Sequence, residues 1–317
     1  MSHRVVSLIA SATEIVCALG FEDELVGRSH ECDYPPGIGR LPACCSSKVK
    51  VEASSKEIDD QVRSLVGDGL SVYRVDPDLL NDLAPTVIVT QTQCEVCAAS
   101  LKDVEEAVCE LVTSNPVLVS LEPMALGDVW KDIRSVASAL GEPERAEDLV
   151  ARLRGRLATL EARTRSLGPR PSVGCIEWTD PLMMAGNWVP ELVEIAGGTD
   201  PLGEAGKHSG YIEIEQLVEA DPDVIAIMPC GFDIERAAQE MAPLVARPEW
   251  QQLSAVRNGR VAMMDGNQYF NRPGPRLVES AEILAEFLHP DHFDFGHFGR
   301  GWIWWDTSER SRRRRTG

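Results

Sequence analysis

The sequence has no segment that reads as a leader or a membrane span. Its first twenty residues, MSHRVVSLIASATEIVCALG, contain no charged stretch followed by a long apolar one, no small-residue cleavage site and no lipoprotein-type cysteine motif. They read instead as a strand, RVVSLIA, followed by a helix, SATEIVCALG. We therefore expect a cytoplasmic protein without membrane insertion. A periplasmic location would require a start site upstream of Met1.

Positive charge is scarce in the chain. It carries 31 Lys and Arg residues against 50 Asp and Glu residues, and its net charge is −19. Such an acidic surface repels nucleic acid and anionic membranes, so we expect neither as a partner. The nine cysteines are an odd number, which favours free thiols or metal ligands over a disulfide framework.

Recognisable catalytic motifs are also missing. The sequence contains no GxSxG, no P-loop, no GxGxxG after a strand and no HExxH. Glu177 and Asp180 flank Trp178 near a strand end, but they form no recognisable acid–base set. The sequence therefore favours a non-enzymatic binding protein, with an enzyme on the same scaffold as an alternative.

Short runs rich in β-branched residues alternate with helical patterns, which is typical of parallel α/β sheets. The region 127–166 is polar and has apolar residues at helical spacing, and GEPE at 141–144 is a possible break in it. The predicted strands are RVVSLIA, ELVGR, SVYRV, TVIVTQ, PVLVSL, SVGCIEW, DVIAIMP and RVAMMD. This alternation predicts an α/β fold.

An internal repeat predicts two lobes. DPDLLNDLAPTVIVTQTQCEVC at 76–97 is similar to IEIEQLVEADPDVIAIMPCGF at 212–232. Each predicts an amphipathic helix that leads through proline into a buried strand and then into a loop with cysteine. The predicted domains are an N-terminal lobe (1–126), a bridging helix (127–166), a C-terminal lobe (167–290) and an aromatic and basic tail (291–317), which we expect to pack on its own surface.

Four segments resemble the substrate-binding proteins of ABC importers for cobalamin, haem and iron-siderophores, and most of all the cobalamin-binding branch. They are RVVSLIASATEIVCALG, LVGRSHECDYP, PDLLNDLAPTVIVTQ and IEQLVEADPDVIAIMP, and the resemblance covers residues 4–289. It implies two Rossmann-like α/β lobes bridged by a long helix, as in class III periplasmic binding proteins, with the ligand held in the cleft between the lobes. It also implies an ABC permease as partner if the protein is exported.

The candidate ligand residues follow the predicted strands, because ligands bind beyond the carboxyl ends of strands in open α/β sheets. Those of the second lobe are aromatic or thioether side chains, which suit a broad planar ligand, although each could also pack within its own lobe. Polar side chains of the first lobe would reach the ligand's peripheral amides. The predicted ligand-binding residues are Ser11, Tyr34, Gln91, Gln93, Trp178, Met183, Met184, Trp188, Phe232, Asn267 and Tyr269.

Two loops of the first lobe carry possible metal ligands. SHECDYP contains His30 and Cys32, and QTQCEVC contains Cys94 and Cys97. Neighbouring strand ends would bring them together, and three thiolates with one imidazole suit tetrahedral zinc or a similar ion. A redox pair and simple packing of small apolar thiols are the alternatives.

The leading hypothesis is a binding protein for a cobalamin-like or other metal–tetrapyrrole or metal-chelate ligand. The alternative is a cytoplasmic metal-handling protein that binds zinc or a similar ion through His30, Cys32, Cys94 and Cys97.

Overall fold

A computed structural model describes residues 3–67, 72–91 and 114–305. The chain divides into two compact units, Met1–Arg154 with Pro273–Pro275, and Gly155–Arg272 with Arg276–Gly317. Each contains a sheet with parallel strands and flanking helices, so the predicted α/β class is confirmed. None of the helices in the described ranges has the length and apolarity needed to cross a bilayer.

The first unit is built on a four-stranded parallel sheet with strand order β2-β1-β5-β6. The strands are β1 (Val5–Ser7), β2 (Leu25–Arg28), β5 (Val87–Gln91) and β6 (Val117–Leu121). The helices are α1 (Ala10–Ala18), α2 (Ser55–Gly67), α3 (Pro77–Leu83) and α4 (Leu126–Ala139). Because the strands are parallel, all their carboxyl ends lie at one edge of the sheet.

A second, smaller sheet in this unit pairs β3 (Cys45–Ser47) antiparallel with β4 (Tyr73–Val75). The predicted strand SVYRV therefore lies outside the main sheet. It packs on the main sheet through one apolar cluster, which includes Val6, Leu8, Cys44, Val72, Tyr73, Val75, Leu80 and Ile88. Gly27 permits this approach, because a Cβ there would lie 2.5 Å from the Cys44 Sγ.

The second unit contains a six-stranded sheet with strand order β12-β11-β10-β7-β8-β9. Strands β7, β10 and β11 are parallel, whereas β8, β9 and β12 pair antiparallel with their neighbours. The strands are β7 (Val173–Thr179), β8 (Leu182–Met184), β9 (Gly210–Tyr211), β10 (Val224–Ile227), β11 (Val261–Met264) and β12 (Trp302–Trp304). The antiparallel strands were not predicted, because two or three residues are too short to show alternation.

The region predicted as one bridging helix contains two. Helix α4 ends at Ala139, and α5 (Pro143–Thr164) begins four residues later, after Gly141 with a φ of 72°. A positive φ suits glycine, and proline is favoured in a first helical turn, so GEPE does break the helix. The division between the units falls within α5. The remaining helices are α6 (Val189–Ile195), α7 (Ile214–Ala220), α8 (Ile234–Gln239), α9 (Ala242–Val245), α10 (Ser254–Arg257) and α11 (Leu277–Leu288).

The internal repeat is visible in matching local geometry. Helices α3 and α7 both end in a left-handed residue that is not glycine, Ala84 with φ 43° and Asp221 with φ 33°. Proline follows in both cases and prevents the helix from continuing. The next residue accepts a hydrogen bond from the neighbouring strand: Thr86 from the Arg4 N–H (3.0 Å) and Asp223 from the Ser172 N–H (2.8 Å).

Arg28 holds the loop that follows β2. Its Nε donates to the Leu41 carbonyl at 3.0 Å, and its two terminal nitrogens donate to the carbonyls of Ser29 (2.8 Å), His30 (3.3 Å) and Gly39 (3.3 Å). The planar guanidinium presents donors in several directions at once, which an ammonium group cannot do from the same position. The loop that carries His30 and Tyr34 is therefore anchored at both ends by one side chain.

We expect Arg28→Lys to lower the free energy of unfolding by about 1–2 kcal/mol, because the lysine keeps the charge but loses most of these hydrogen bonds. Urea unfolding of the full chain measures the change. Arg74→Lys is the matched control, since Arg74 is exposed on β4. Equal effects of the two replacements would show that Arg28 does not anchor the loop.

A second prediction concerns Asp132 on α4. Burial raises the pKa of its carboxyl group to about 7, assisted by the nearby Asp128 and Glu122 and opposed by the Glu122 N–H and by Lys131. Asp132 in the unfolded chain titrates near 4. Between about pH 4 and pH 7 the folded state keeps a proton that the unfolded state has lost, so this group makes stability fall as pH rises.

Asp132→Asn retains an acceptor for the Glu122 N–H (3.4 Å in the wild type) and removes the buried charge. We expect the variant to gain about 4 kcal/mol relative to wild type as pH rises from 4 to 7, because each pKa unit between the folded and unfolded states corresponds to about 1.4 kcal/mol. Asp128→Asn should show a change of opposite sign below pH 4 and no pH-dependent change between pH 4 and pH 7, because its hydrogen bonds, above all that from Lys131, lower the pKa of the Asp128 carboxyl. A stability difference between Asp132→Asn and wild type that does not change with pH would contradict the prediction.

Candidate ligand-binding site

An aromatic pair lies at the carboxyl edge of the sheet in the second unit. Trp178 is near the end of β7, and Phe232 is in the loop after β10. Their ring centroids are 5.1 Å apart with an interplanar angle of 40°, and the Arg236 guanidinium lies 5.1 Å from the Phe232 ring centroid. Parallel pairing of β7 with β10 places these two strand ends side by side. Both rings are buried, at 8 % and 6 % exposed, so this edge holds a packed aromatic pair with a cation beside it.

The turn after β11 adds the next two candidates, Asn267 and Tyr269. Gly266–Phe270 forms a one-turn π-helix that Asp265 caps, accepting from the Gln268 N–H (2.7 Å) and its side-chain amide (3.0 Å). The Asn267 N–H donates to the Phe232 carbonyl at 3.0 Å, so this turn and the β10 loop are joined directly. Short π-helical turns occur frequently at functional sites.

Tyr269 is half-buried in this turn, and the Arg276 guanidinium lies 5.3 Å from its ring centroid. Burial is the main cause that raises the pKa of the Tyr269 hydroxyl, and Glu279 raises it further. Burial also raises the pKa of the Asp265 carboxyl. Tyr269 therefore keeps its proton at neutral pH and offers a hydrogen-bond donor beside its ring.

Two of the predicted ligand residues are parts of the core of this unit. Trp188 is 4 % exposed at the start of α6, and its Nε1 donates to the Phe270 carbonyl at 2.8 Å. Met184 is 2 % exposed within β8. Trp178 and Phe232 are almost as buried, at 8 % and 6 % exposed, so all four stay predictions as ligand residues. Met183 is half-buried and lies opposite Tyr211, an exposed residue of β9 that was not predicted.

Two buried arginines near this turn were also missed. Arg272 and Arg276 are each 5 % exposed. The Arg272 Nη2 donates to the Asn267 Oδ1 at 3.0 Å, and the Arg276 Nη1 donates to the Gln268 Oε1 at 3.3 Å. Arginine is usually exposed, so nothing local in the sequence marks these two. They orient the amide side chains of the turn.

In the first unit, three of the predicted residues lie at or near the carboxyl edge of the sheet. Ser11 is in the first turn of α1, 1 % exposed, and its hydroxyl has no hydrogen-bond partner within the described residues. Gln91 ends β5 and is buried, whereas Tyr34 is 39 % exposed. Gln93 lies outside the described residues. Next to Ser11, the Thr13 hydroxyl donates to the Ser7 hydroxyl at 2.8 Å.

Of the predicted metal ligands, His30 and Cys32 lie within the described residues, and their side chains contact different partners. His30 Nδ1 lies 3.4 Å from the Sγ of Cys45, whereas the Sγ of Cys32 lies 3.0 Å from the Thr13 hydroxyl. Cys94 and Cys97 lie outside the described residues. Across residues 3–67, 72–91 and 114–305, no group of three or more His, Cys, Asp or Glu side chains could hold a metal ion.

The pairing of His30 with Cys45 has a physical reason. Cys45 begins β3, which antiparallel pairing holds against β4, and the Cys45 Sγ also lies 3.4 Å from the Ser29 hydroxyl. Burial raises the pKa of the Cys45 thiol and lowers the pKa of His30. Both groups are therefore neutral, as in a hydrogen bond between a thiol and an imidazole. The six cysteines within the described residues are free thiols.

Comparison with known proteins identifies the family. The family model described as periplasmic binding protein matches residues 5–267. An uncharacterised ABC transporter substrate-binding lipoprotein of Bacillus subtilis (strain 168) is 25% identical over 294 residues, 92% of this chain and 81% of that protein. A vitamin B12-binding protein of Vibrio cholerae is 23% identical over 290 residues, 90% of this chain and 89% of that protein.

Solved structures share the fold. The periplasmic heme-binding protein RhuT from Roseiflexus sp. RS-1, in apo form, has a TM-score of 0.67 at 22% identity, over 92% of this chain and 99% of that one. The periplasmic vitamin B12 binding protein BtuF of Vibrio cholerae has a TM-score of 0.60 at 21% identity, over 90% and 96%. At this identity they support the class III fold predicted from the sequence.

These comparisons overturn the expected location. The Bacillus subtilis relative is a lipoprotein and the two solved relatives are periplasmic, so the expectation of a cytoplasmic protein is wrong. The segment that prompted it contains β1 and α1 of the first unit, and its sequence pattern reflects that folded role. The family match, which covers most of the chain, decides the identity. The chain belongs to the periplasmic binding protein family.

Proposed function

We propose that this protein binds a metal chelate of the cobalamin or haem type and delivers it to an ABC permease. The observation that carries the ligand class is the aromatic pair Trp178–Phe232 at the carboxyl edge of the second unit's sheet, with the half-buried Tyr269 in the turn after the neighbouring strand β11. Relatives described as vitamin B12-binding and heme-binding proteins support the same class.

The chemistry of this edge suits a broad ligand with an apolar face and a polar rim. Aromatic rings stack on flat π-systems and on apolar macrocycle faces. The amides of Asn267 and Gln268 are held by Arg272 and Arg276, so they are oriented before any ligand arrives. Preorganised hydrogen-bonding groups of this kind lose little entropy on binding.

The zinc alternative receives no support from the described residues. Cys32 and His30 contact different partners, and the described residues contain no group of three or more His, Cys, Asp or Glu side chains that could hold a metal ion. We therefore do not retain a metal-handling role. An enzyme on this scaffold likewise has no specific observation in its favour.

The direct test is a titration of the purified protein with hemin, cyanocobalamin and a ferric siderophore, followed by calorimetry and tryptophan fluorescence. We expect one of these probes to bind and to quench the emission, because metal chelates with visible absorption accept excitation energy from nearby indoles. Trp178→Phe should reduce the quenched amplitude. Binding by none of the three probes would refute the proposal.

Trp250→Phe is the matched control for the fluorescence titration. Trp250 is fully buried, and its indole N–H has no partner among the described residues, so the replacement removes an indole without breaking a hydrogen bond. We expect this variant to retain the quenched amplitude that Trp178→Phe loses. Equal losses in both variants would mean that the ligand is not close to Trp178.

A separate prediction concerns Tyr269. Tyr269→Ala should weaken binding of the probe about 5- to 50-fold, which corresponds to roughly 1–2.5 kcal/mol for the loss of an aromatic contact and its hydroxyl. Tyr269→Phe keeps the ring, so its affinity should lie between that of wild type and that of Tyr269→Ala. Wild-type affinity in Tyr269→Ala would exclude this residue from the site.

A further inference from the structure

The segment 293–305, which we name the C-terminal arm, folds back along the second unit. Its strand β12 pairs antiparallel with β11. Backbone hydrogen bonds extend the pairing at both ends, from the Asp265 N–H to the Gly301 carbonyl and from the Trp305 N–H to the Val261 carbonyl, each 2.9 Å. The arm thereby contacts Asp265, the residue that caps the turn with Asn267 and Tyr269.

One buried carboxylate fixes the arm to helix α11. Glu286 is 3 % exposed, and its Oε2 accepts from the Trp302 indole at 2.9 Å. Its Oε1 accepts from the backbone N–H groups of His297 (3.2 Å) and Phe295. An ionised carboxylate is an acceptor only, and here it meets three donors from one segment of chain. Release of the arm would break all three of these hydrogen bonds.

A histidine of the arm reaches the side chain of Tyr269. The His297 ring meets the Tyr269 ring edge-on, with centroids 6.1 Å apart. His297 is held from the other side by Glu282, whose Oε2 lies 3.4 Å from its Nε2, and Glu282 in turn pairs with Arg156 at 2.9 Å. The arm thus contacts the turn Gly266–Phe270 and its capping residue at two points, the backbone of Asp265 and the ring of Tyr269.

We propose that the C-terminal arm is a positioning element of the ligand site, fixed by Glu286 and acting on Tyr269 through His297. The consequence for binding rests on the function proposed above, whereas the mechanical coupling does not. A stabilising strap without this role would change the unfolding free energy of the second unit and leave the turn 265–270 as it is. When the arm is loosened, a positioning element changes the turn 265–270, whereas a stabilising strap leaves the turn unchanged.

Glu286→Gln loosens the arm selectively. The glutamine has one oxygen acceptor, which can accept either from the Trp302 indole or from the N–H groups of Phe295 and His297. Its NH₂ group then faces the other donors and cannot accept from them. Trp302→Phe removes the indole N–H that donates to the Glu286 Oε2. Asp291→Asn is the matched control, because it also removes one negative charge close to the arm but at an exposed residue.

The measurement is hydrogen–deuterium exchange of the unliganded full chain, read on peptides that cover 265–271, 293–304 and the α1 segment of the first unit. We expect Glu286→Gln to speed exchange in the first two and not in α1, with Asp291→Asn like wild type. Affinity for the probe bound by wild type should fall about 5- to 20-fold, with a changed visible spectrum of the bound probe. The effect of the Glu286→Gln/Trp302→Phe double variant should be smaller than the sum of the two single effects, since both act on the hydrogen bonds of the same carboxylate.

Faster exchange in 293–304 with unchanged exchange in 265–271 and unchanged affinity would overturn the proposal. If Glu286→Gln does not fold, the pair His297→Ala and His297→Phe decides the same question. The alanine should weaken binding and alter the spectrum, and phenylalanine, which keeps an edge contact with Tyr269, should restore both. A wild-type protein that binds no probe would refute the proposed function, while the exchange comparison would still decide whether the arm positions the turn.

Discussion

Both sheets depend on a hydrogen bond between a side chain at the start of one strand and the backbone N–H at the start of its parallel neighbour. Thr86 makes this bond to Arg4 in the first unit, and Asp223 makes it to Ser172 in the second, where it also accepts from the Ser172 hydroxyl at 2.8 Å. Parallel strands have no tight turn between them to set their register. The bond lies next to the pairs Val5–Val87 and Val173–Val224, and the register of these parallel strands sets where their carboxyl ends fall relative to one another.

The candidate site of the second unit is formed at the ends of three neighbouring strands. Trp178, Phe232 and Asn267 belong to segments that are far apart in the sequence, but β7, β10 and β11 are consecutive in the sheet. The bond from the Asn267 N–H to the Phe232 carbonyl then joins two of the loops directly. Loops that are tied to each other and to a rigid sheet can hold aromatic side chains in place without a ligand.

The polar groups around His30 in the first unit show that burial favours hydrogen bonds between neutral side chains. Hydrogen bonds of 3.4 Å link His30 to Cys45 and Cys45 to Ser29, in surroundings that lower the pKa of the imidazole and raise the pKa of the thiol. A thiolate–imidazolium pair would place two charges where burial already disfavours the charged form of each group. These hydrogen bonds join β3 to the loop that Arg28 anchors.

The sequence by itself determined the α/β class, most of the long strands, the internal repeat and the family resemblance. These features are local: a buried parallel strand is a continuous apolar run, and the proline after Ala84 or Asp221 marks a helix end wherever it occurs. The same local signals predicted which segments follow the strands, and hence Trp178, Phe232, Asn267 and Tyr269 as residues of one edge.

Only the tertiary structure decided what each side chain meets. Trp188 looks like a ligand residue in the sequence, but its indole binds the Phe270 carbonyl, 82 residues away. His30 pairs with Cys45 and not with Cys32, two residues along the chain, because β3 is held in place by β4. The strands β8, β9 and β12 and the buried arginines 272 and 276 likewise depend on distant partners. Contacts between residues far apart in the chain have no signature in a local pattern, since the same residue types suit a core, a surface or a site until the fold supplies their neighbours.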